Sequence, residues 1–402
     1  EFYRKATHGE GFIRGFFNVI KSATTGTGAA LERLFITGVS PVTMDDVTSG
    51  FNIGTNITND SWFNDLVGFS ENELREMLEY YKEQGVLQES IDEIVAMMKP
   101  NYDNYCFSED TLEQCMFNSD MALYFLKSFV LHHKKPKEIV DPNIRTDFNK
   151  LAYLIKLDHG LGENFSVIKE IAEQGEITTD IVTHFSALEM TDPSNFKSLL
   201  FYFGLLSIKG VDMVGRPILH VPNLVVREQL FNFLIQGYIK HDIFKIDMNK
   251  MSALFENMAF RGDWKPLFDF IANAVREQSR IREYIEGEAH IKGFLLAYLG
   301  MYRYYQLYPE YELNKGFADF FFKPSLSVPV LPPFTYLLEV KYAKAGASEK
   351  EIRALADEAR EQLLRYSEDE LVAEAKAKGE LKLITIVWRS WELALLEEVT
   401  LS

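Results

Sequence analysis

Glu288, Asp319 and the triplet Glu339-Val340-Lys341 are the residues whose types and spacing can do chemistry in this sequence. Ile281, Tyr284, Ile285, Ile291, Leu295 and Leu299 recur at helical intervals and predict a helix near 276–299, with Glu288 inside its apolar stripe. Lys315 to Phe322 reads as a strand entered at Gly316, on which Phe317, Asp319 and Phe321 share one face. After the turn Pro329-Val330-Leu331-Pro332-Pro333, a strand from Tyr336 to Tyr342 places Leu337, Glu339 and Lys341 together on one face. The pattern asks for apolar residues at all of these positions. An unpaired carboxylate is costly to bury, so each acid needs a cation or hydrogen-bond donors beside it.

The chemistry that fits is a hard-cation site. Asp319 and Glu339, from neighbouring strands, can offer carboxylate oxygens to Mg²⁺ or Mn²⁺. A metal held there lowers the pKa of a bound water and neutralises charge on a phosphate under attack. Lys341 is placed to orient or help deprotonate that water and to stabilise the oxyanion. Glu288, arriving from the helix, is expected to touch the metal or its ligands. Taken singly, each acid also reads as a salt-bridged structural residue, and Glu339 with Lys341 as a surface ion pair.

An acid on the first helix, G-x-x-D on one strand and E-x-K on the next resembles the PD-(D/E)XK nuclease signature. The similarity is carried by Glu288 with Gly293-Phe294-Leu295-Leu296, by Gly316-Phe317-Ala318-Asp319, and by Glu339-Val340-Lys341. It implies metal binding by Asp319, Glu339 and Glu288, and catalysis by Asp319, Glu339, Lys341, Glu288 and Gln362. Gln362 lies on the inward stripe of the helix that follows the active strand, with Ile352, Leu355, Ala359 and Tyr366. A structural amide satisfied by the core reads nearly as well there. The run Leu34 to Ile53, with Phe69-Ser70 beyond it, resembles the later half of the AAA-ATPase-like module found in bacterial proteins that carry such a nuclease domain. In that family the nucleotide-binding lysine loop and acidic strand lie upstream of this run. Thr37 and Ser40 would sit near a γ-phosphate, but no Gly-Lys-Ser/Thr occurs in the sequence, so ATP is not expected to bind.

The elements that must position these residues belong to a chain of 402 residues, long enough for two or three domains. Its 47% hydrophobic and 25% charged residues are those of a globular protein. A net charge of −17 argues against a surface coated for indiscriminate nucleic-acid binding, while leaving room for a local basic groove supplied by Lys323, Lys344, Arg360 and Arg365. Cys106 and Cys115 make neither a disulfide framework nor a metal knuckle, which points to a reducing cytoplasm. No apolar run reaches a membrane span, and the start at Glu1-Phe2-Tyr3, without methionine, suggests a piece of a longer protein.

Ser70-Glu71-Asn72-Glu73 is a capping box, and Asp92-Glu93 reads as a helix first turn rather than a metal-binding strand end. Helices over 146–156, 165–174 and 195–204, with strands at 205–208 and 218–221, match the element order of a winged helix. The last of these helices is mostly apolar with a single lysine, which favours a packing or hinge module over a DNA reader. The expected organisation is multidomain and mostly α with α/β. It comprises an AAA-like remnant at 1–130, a helical or winged-helix-like linker at 131–245, and a restriction-endonuclease-like α/β core, a mixed sheet flanked by helices, at 246–402. The expected function is Mg²⁺-dependent hydrolysis of nucleic acid, DNA ahead of RNA, formerly coupled to an ATPase, by a cytoplasmic protein that could form a homo-oligomer. The opposing reading is a regulatory protein that binds nucleic acid or protein through a nuclease-like domain without cutting.

Overall fold

A computed structural model describes residues 12–24, 27–38, 55–132, 163–183, 192–240, 247–277, 287–300, 304–313, 316–325 and 330–400, with isolated positions between them. The chain divides into two compact units, one drawn mostly from residues up to Val226 and the other dominated by Arg227–Ser402. Among the described residues no helix is long and apolar enough to cross a membrane.

The first unit opens with α1 (Phe12–Thr24), followed by α2 (Glu71–Glu83), α3 (Ile91–Tyr102) and α4 (Ser119–His132). The Ser70 box forms in both directions: the Ser70 hydroxyl accepts from Glu73 N, and Glu73 accepts from Ser70 N. Asp92 and Glu93 lie in the first turn of α3, and Asp92 accepts from Arg75 at 2.8 Å. Leu74, Leu78, Ile94 and Met98 bury the facing sides of the pair. Most of the run resembling an ATPase module, from residue 39 to 53, lies outside the described residues, as does the helix expected over 146–156.

Further on come α5 (Glu163–Gln174), β1 (Glu176–Thr178), α6 (Pro193–Tyr202), β2 (Ser207–Val211), β3 (Pro217–His220) and α7 (Leu224–Lys240). The two strands expected here acquire a third, since β1 pairs with β3 to give the antiparallel order β1-β3-β2. Three residues after a glycine are too short a run to announce a strand by alternation. On α6, Phe196, Leu199, Leu200 and Phe201 are buried, so this helix spends its apolar face on packing.

The second unit continues through α8 (Met248–Arg261), α9 (Lys265–Glu277) and α10 (Glu288–Leu299). One long helix was expected over 276–299; the structure ends α9 at Glu277 and begins α10 at Glu288, with Gly287 at its N-cap. Ile281, Tyr284 and Ile285 lie outside the described residues. Then follow β4 (Tyr305–Leu313), β5 (Gly316–Pro324), β6 (Phe334–Ala343), α11 (Glu349–Tyr366), α12 (Glu370–Lys378), β7 (Glu380–Arg389) and β8 (Glu392–Val399). They form a mixed sheet in the order β4-β5-β6-β7-β8. β4 to β6 make an antiparallel meander, β6 and β7 are parallel across the α11–α12 crossover, and β7 returns antiparallel into β8. A parallel pair needs such a crossover because its strands cannot be joined by a tight turn.

β4, at one edge of the sheet, carries Pro309. As an edge strand it tolerates a residue without an N–H, which is why the proline hid it. Gly316 turns the chain into β5 at φ 137°, and a Cβ there would meet the Tyr366 hydroxyl at 2.9 Å. Only glycine fits both demands. One face of the sheet packs on α11 and α12 through Phe321, Leu337, Leu363, Tyr366, Val372 and Leu383, and farther along through Ala343, Ile352, Ala356 and Val387. On the other face the Tyr336 hydroxyl donates to the Met258 carbonyl of α8 at 2.6 Å. β6 is therefore covered on both sides, and Thr335 to Val340 are all buried. A strand buried on both faces is normally a continuous apolar run, which makes Glu339 an exception to be explained.

Candidate active site

Asp319 sits where β5 and β6 part. The last paired residues are Phe320 and Leu338. Two residues beyond Leu338, the Val340 amide donates to Asp319 Oδ2 at 2.7 Å instead of to a carbonyl of β5. The side chain thus closes the ladder and is fixed by it, with the residue only 4% exposed. Its other oxygen, Oδ1, lies 2.5 Å from the ammonium of Lys292 on α10.

Glu339 is 3% exposed and follows Leu338 on β6. Lys341 Nζ donates to its Oε1 at 3.3 Å, while Oε2 is buried with no hydrogen-bond partner. Burial, and then the charge of Asp319, push the Glu339 carboxyl well above the usual range, against the pull of Lys341 and Lys292. This is a carboxylate short of positive charge. Burial draws the Lys341 ammonium down, but Glu339 and the exposed Glu358 of α11, at 3.1 Å, more than compensate, and its pKa rises. An ammonium held in that way is placed to orient water and to offset negative charge.

Glu339 pairs in parallel register with Thr385 of β7, so the two share the face that α11 covers. The Thr385 hydroxyl is buried without a partner, and so is Gln362 Oε1 on α11. Helix α11 runs antiparallel to β6, with Ile352 and Ala356 against Ala343 and Leu363 in the cluster of Leu337, so Gln362 lies level with the Leu337–Glu339 stretch. Three oxygens without donors on one covered face leave space in the bonding pattern for water or a cation.

Glu288 is placed differently from expectation. It is not in mid-stripe but in the first turn of α10, its side chain 43% exposed and 3.0 Å from Lys292. An acid belongs there for its interaction with the helix dipole. It joins Asp319 through the lysine between them. Among the described residues no three His, Cys, Asp or Glu side chains gather about a common point. The donors that fit a hard cation are Asp319 and Glu339, whose orphaned Oε2 lacks positive charge. Mg²⁺ keeps several waters and needs few protein oxygens, so two carboxylates match its chemistry.

Residues 286–398 match the family model of the PD-(D/E)XK nuclease superfamily. The PD-(D/E)XK domain takes in Glu288, Lys292, Asp319, Glu339, Lys341, Gln362 and Thr385, and its strands form the five-stranded mixed sheet. Nucleases of this superfamily generally use divalent metal ions. No curated protein matches the chain.

Sequence reasoning passed over Lys292, Glu358 and Thr385. The signals were present: Lys292 is the one charge within Ile291-Lys292-Gly293-Phe294-Leu295-Leu296, four residues after Glu288, and Thr385 interrupts Leu383-Ile384-Thr385-Ile386-Val387. Lys323, expected to meet phosphate, is engaged elsewhere. Its ammonium donates to the Tyr311 hydroxyl at 2.9 Å and lies 4.7 Å from the centre of that ring, 5.0 Å from that of Phe321 and 5.3 Å from that of Tyr308. Burial pulls its pKa down. Lys344, Arg360 and Arg365 are exposed.

Proposed function

We propose that this protein is a divalent-metal-dependent nuclease that hydrolyses phosphodiester bonds of nucleic acid, DNA in preference to RNA, at Asp319, Glu339 and Lys341. The observation that carries the reading is Glu339: a buried carboxylate with one oxygen unpartnered, beside a second buried acid and a lysine. A stable fold gains nothing from such a group, whereas a metal site needs it.

Asp319 and Glu339 would hold Mg²⁺ or Mn²⁺, which supplies an acidified water and charge neutralisation at the scissile phosphate. Asp319 is kept in place by the Val340 amide, so its orientation is set before the metal arrives. Lys341, kept charged by Glu339 and Glu358, orients the attacking water and offsets charge on the phosphoryl oxygens. Gln362 and Thr385 supply polar groups for water on the same face. Lys344, Arg360 and Arg365 are candidates for phosphate contacts along the strand being cut. An upstream ATPase-like region coupled to this domain belongs to the same proposal and rests on the run from Leu34 to Ile53.

The test is cleavage of single- and double-stranded DNA and RNA with Mg²⁺ or Mn²⁺ by the wild type, Glu339→Ala and Lys341→Ala. Both substitutions are expected to lower the rate by at least about a hundredfold, the scale of losing a preorganised charge contact. Wild-type activity in either variant sinks the site. No cleavage of any polymer, together with binding, favours the non-catalytic reading.

A further inference from the structure

The residue that no motif assigns is Lys292, and its position is unusual. Its ammonium bridges Asp319 Oδ1 at 2.5 Å and Glu288 Oε1 at 3.0 Å, with the side chain 21% exposed. The two acceptors differ in kind. Asp319 is buried and tied to the backbone through its other oxygen, whereas Glu288 is 43% exposed on the helix that also carries the lysine.

We propose that Lys292 is a built-in counter-cation that balances Asp319 when no metal is bound and must give up that carboxylate for a metal to bind, retreating to Glu288. The proposal rests on the reading of Asp319 and Glu339 as metal ligands. Without a cation beside it, the Asp319 carboxylate would carry its charge at a buried position, an arrangement that costs stability. The ammonium removes that cost in the metal-free protein. It also stands against the oxygen that a metal requires, and two cations cannot share one carboxylate oxygen at contact distance without strong repulsion. A lysine suits this exchange because it is a compact charge on a flexible stem, and Glu288 lets it stay paired as it leaves. Metal affinity is thereby set by competition within the chain: the site is kept folded at rest and binds metal more weakly than its carboxylates alone would.

The test is calorimetric titration of the full chain with Mn²⁺ at fixed pH. Lys292→Gln, which keeps a hydrogen-bond donor but loses the charge, is expected to tighten Mn²⁺ binding at least about tenfold, equivalent to about 1.4 kcal/mol. Lys292→Arg should stay within about threefold of the wild type, since it keeps the competing charge. In the metal-free state Lys292→Gln should melt lower than the wild type, and Mn²⁺ should raise its melting temperature by more. Glu288→Gln, at an exposed position, gives a second measure that does not depend on the folding of Lys292→Gln: removing the retreat should weaken Mn²⁺ binding about threefold in the wild type. That effect should vanish in the Lys292→Gln background. Equal or weaker Mn²⁺ binding by Lys292→Gln overturns the proposal, as does an undiminished Glu288→Gln effect in the double variant, which would mark Glu288 as a metal ligand. Absence of Mn²⁺ binding in both the wild type and Lys292→Gln overturns the metal reading itself, a different outcome from binding that ignores the lysine.

Discussion

Replacing Glu339 by glutamine should stabilise the metal-free protein, and by more as the pH rises. In the folded chain, burial and the neighbouring Asp319 push the Glu339 carboxyl from an ordinary 4.5 up to about 8. Between those values the folded state holds a proton that the unfolded chain has released, so stability falls as pH rises through the window. The slope approaches about 1.4 kcal/mol per pH unit, and between pH 5 and 7.5 the loss sums to roughly 3 kcal/mol. Glutamine has no proton to lose and keeps the shape. The advantage of Glu339→Gln should therefore grow by roughly that amount over the same interval. The assay is denaturant unfolding with a chelator present at several pH values, followed by tryptophan fluorescence. Of the 4 tryptophans, Trp264, Trp388 and Trp391 all belong to the unit that holds Glu339. Saturating Mg²⁺ should flatten the wild-type profile by supplying the missing charge, and should leave the variant unchanged. A difference between the two proteins that stays constant from pH 5 to 8 would refute the reasoning, because the carboxyl would then titrate as an ordinary one.

Three further outcomes follow from the same geometry. Gly316→Ala should destabilise the nuclease-like unit by about 2 kcal/mol or more, since φ 137° is strained for alanine and its Cβ would press on the Tyr366 hydroxyl; Tyr366→Phe added to it should recover only the contact, as a thermal melt will show. Lys323→Met, within its ring of Tyr308, Tyr311 and Phe321, should change stability by less than about 1.5 kcal/mol and leave nucleic-acid affinity within about twofold of the wild type by fluorescence anisotropy, whereas a large loss of affinity would return Lys323 to the phosphate path. Thr385→Val, which removes a buried hydroxyl without a partner, should raise metal-free stability by about 1 kcal/mol in denaturant unfolding; a decrease of that size would mean that the hydroxyl is bonded in solution.

Much of the frame around the site was already legible in the chain. Alternation along 336–342 puts Glu339 and Lys341 on one face, and Ser348 with Glu351 starts α11, because strand pleat and helix caps are decided by residues a few positions apart. Gly316 announced the turn into β5 in the same way, through a backbone demand that only glycine meets. Periodicity failed at Glu288. It extended the α10 pattern back through Ile281, and the helix start, which places the acid beside Lys292 instead of inside a stripe, went unseen.

What tertiary structure alone decided is which charges meet. Asp319 and Lys292 are joined by the docking of α10 against the sheet, Lys341 and Glu358 by the crossover helix, and Glu339 and Thr385 by the register of a parallel pair. Lys323 was drawn off among aromatic rings by the edge strand β4, which its proline had concealed. A sequence fixes the type and local direction of each charged group through short-range sterics and hydrogen bonds. The energy of a buried charge depends on neighbours brought from tens of residues away, and only the packed fold chooses them.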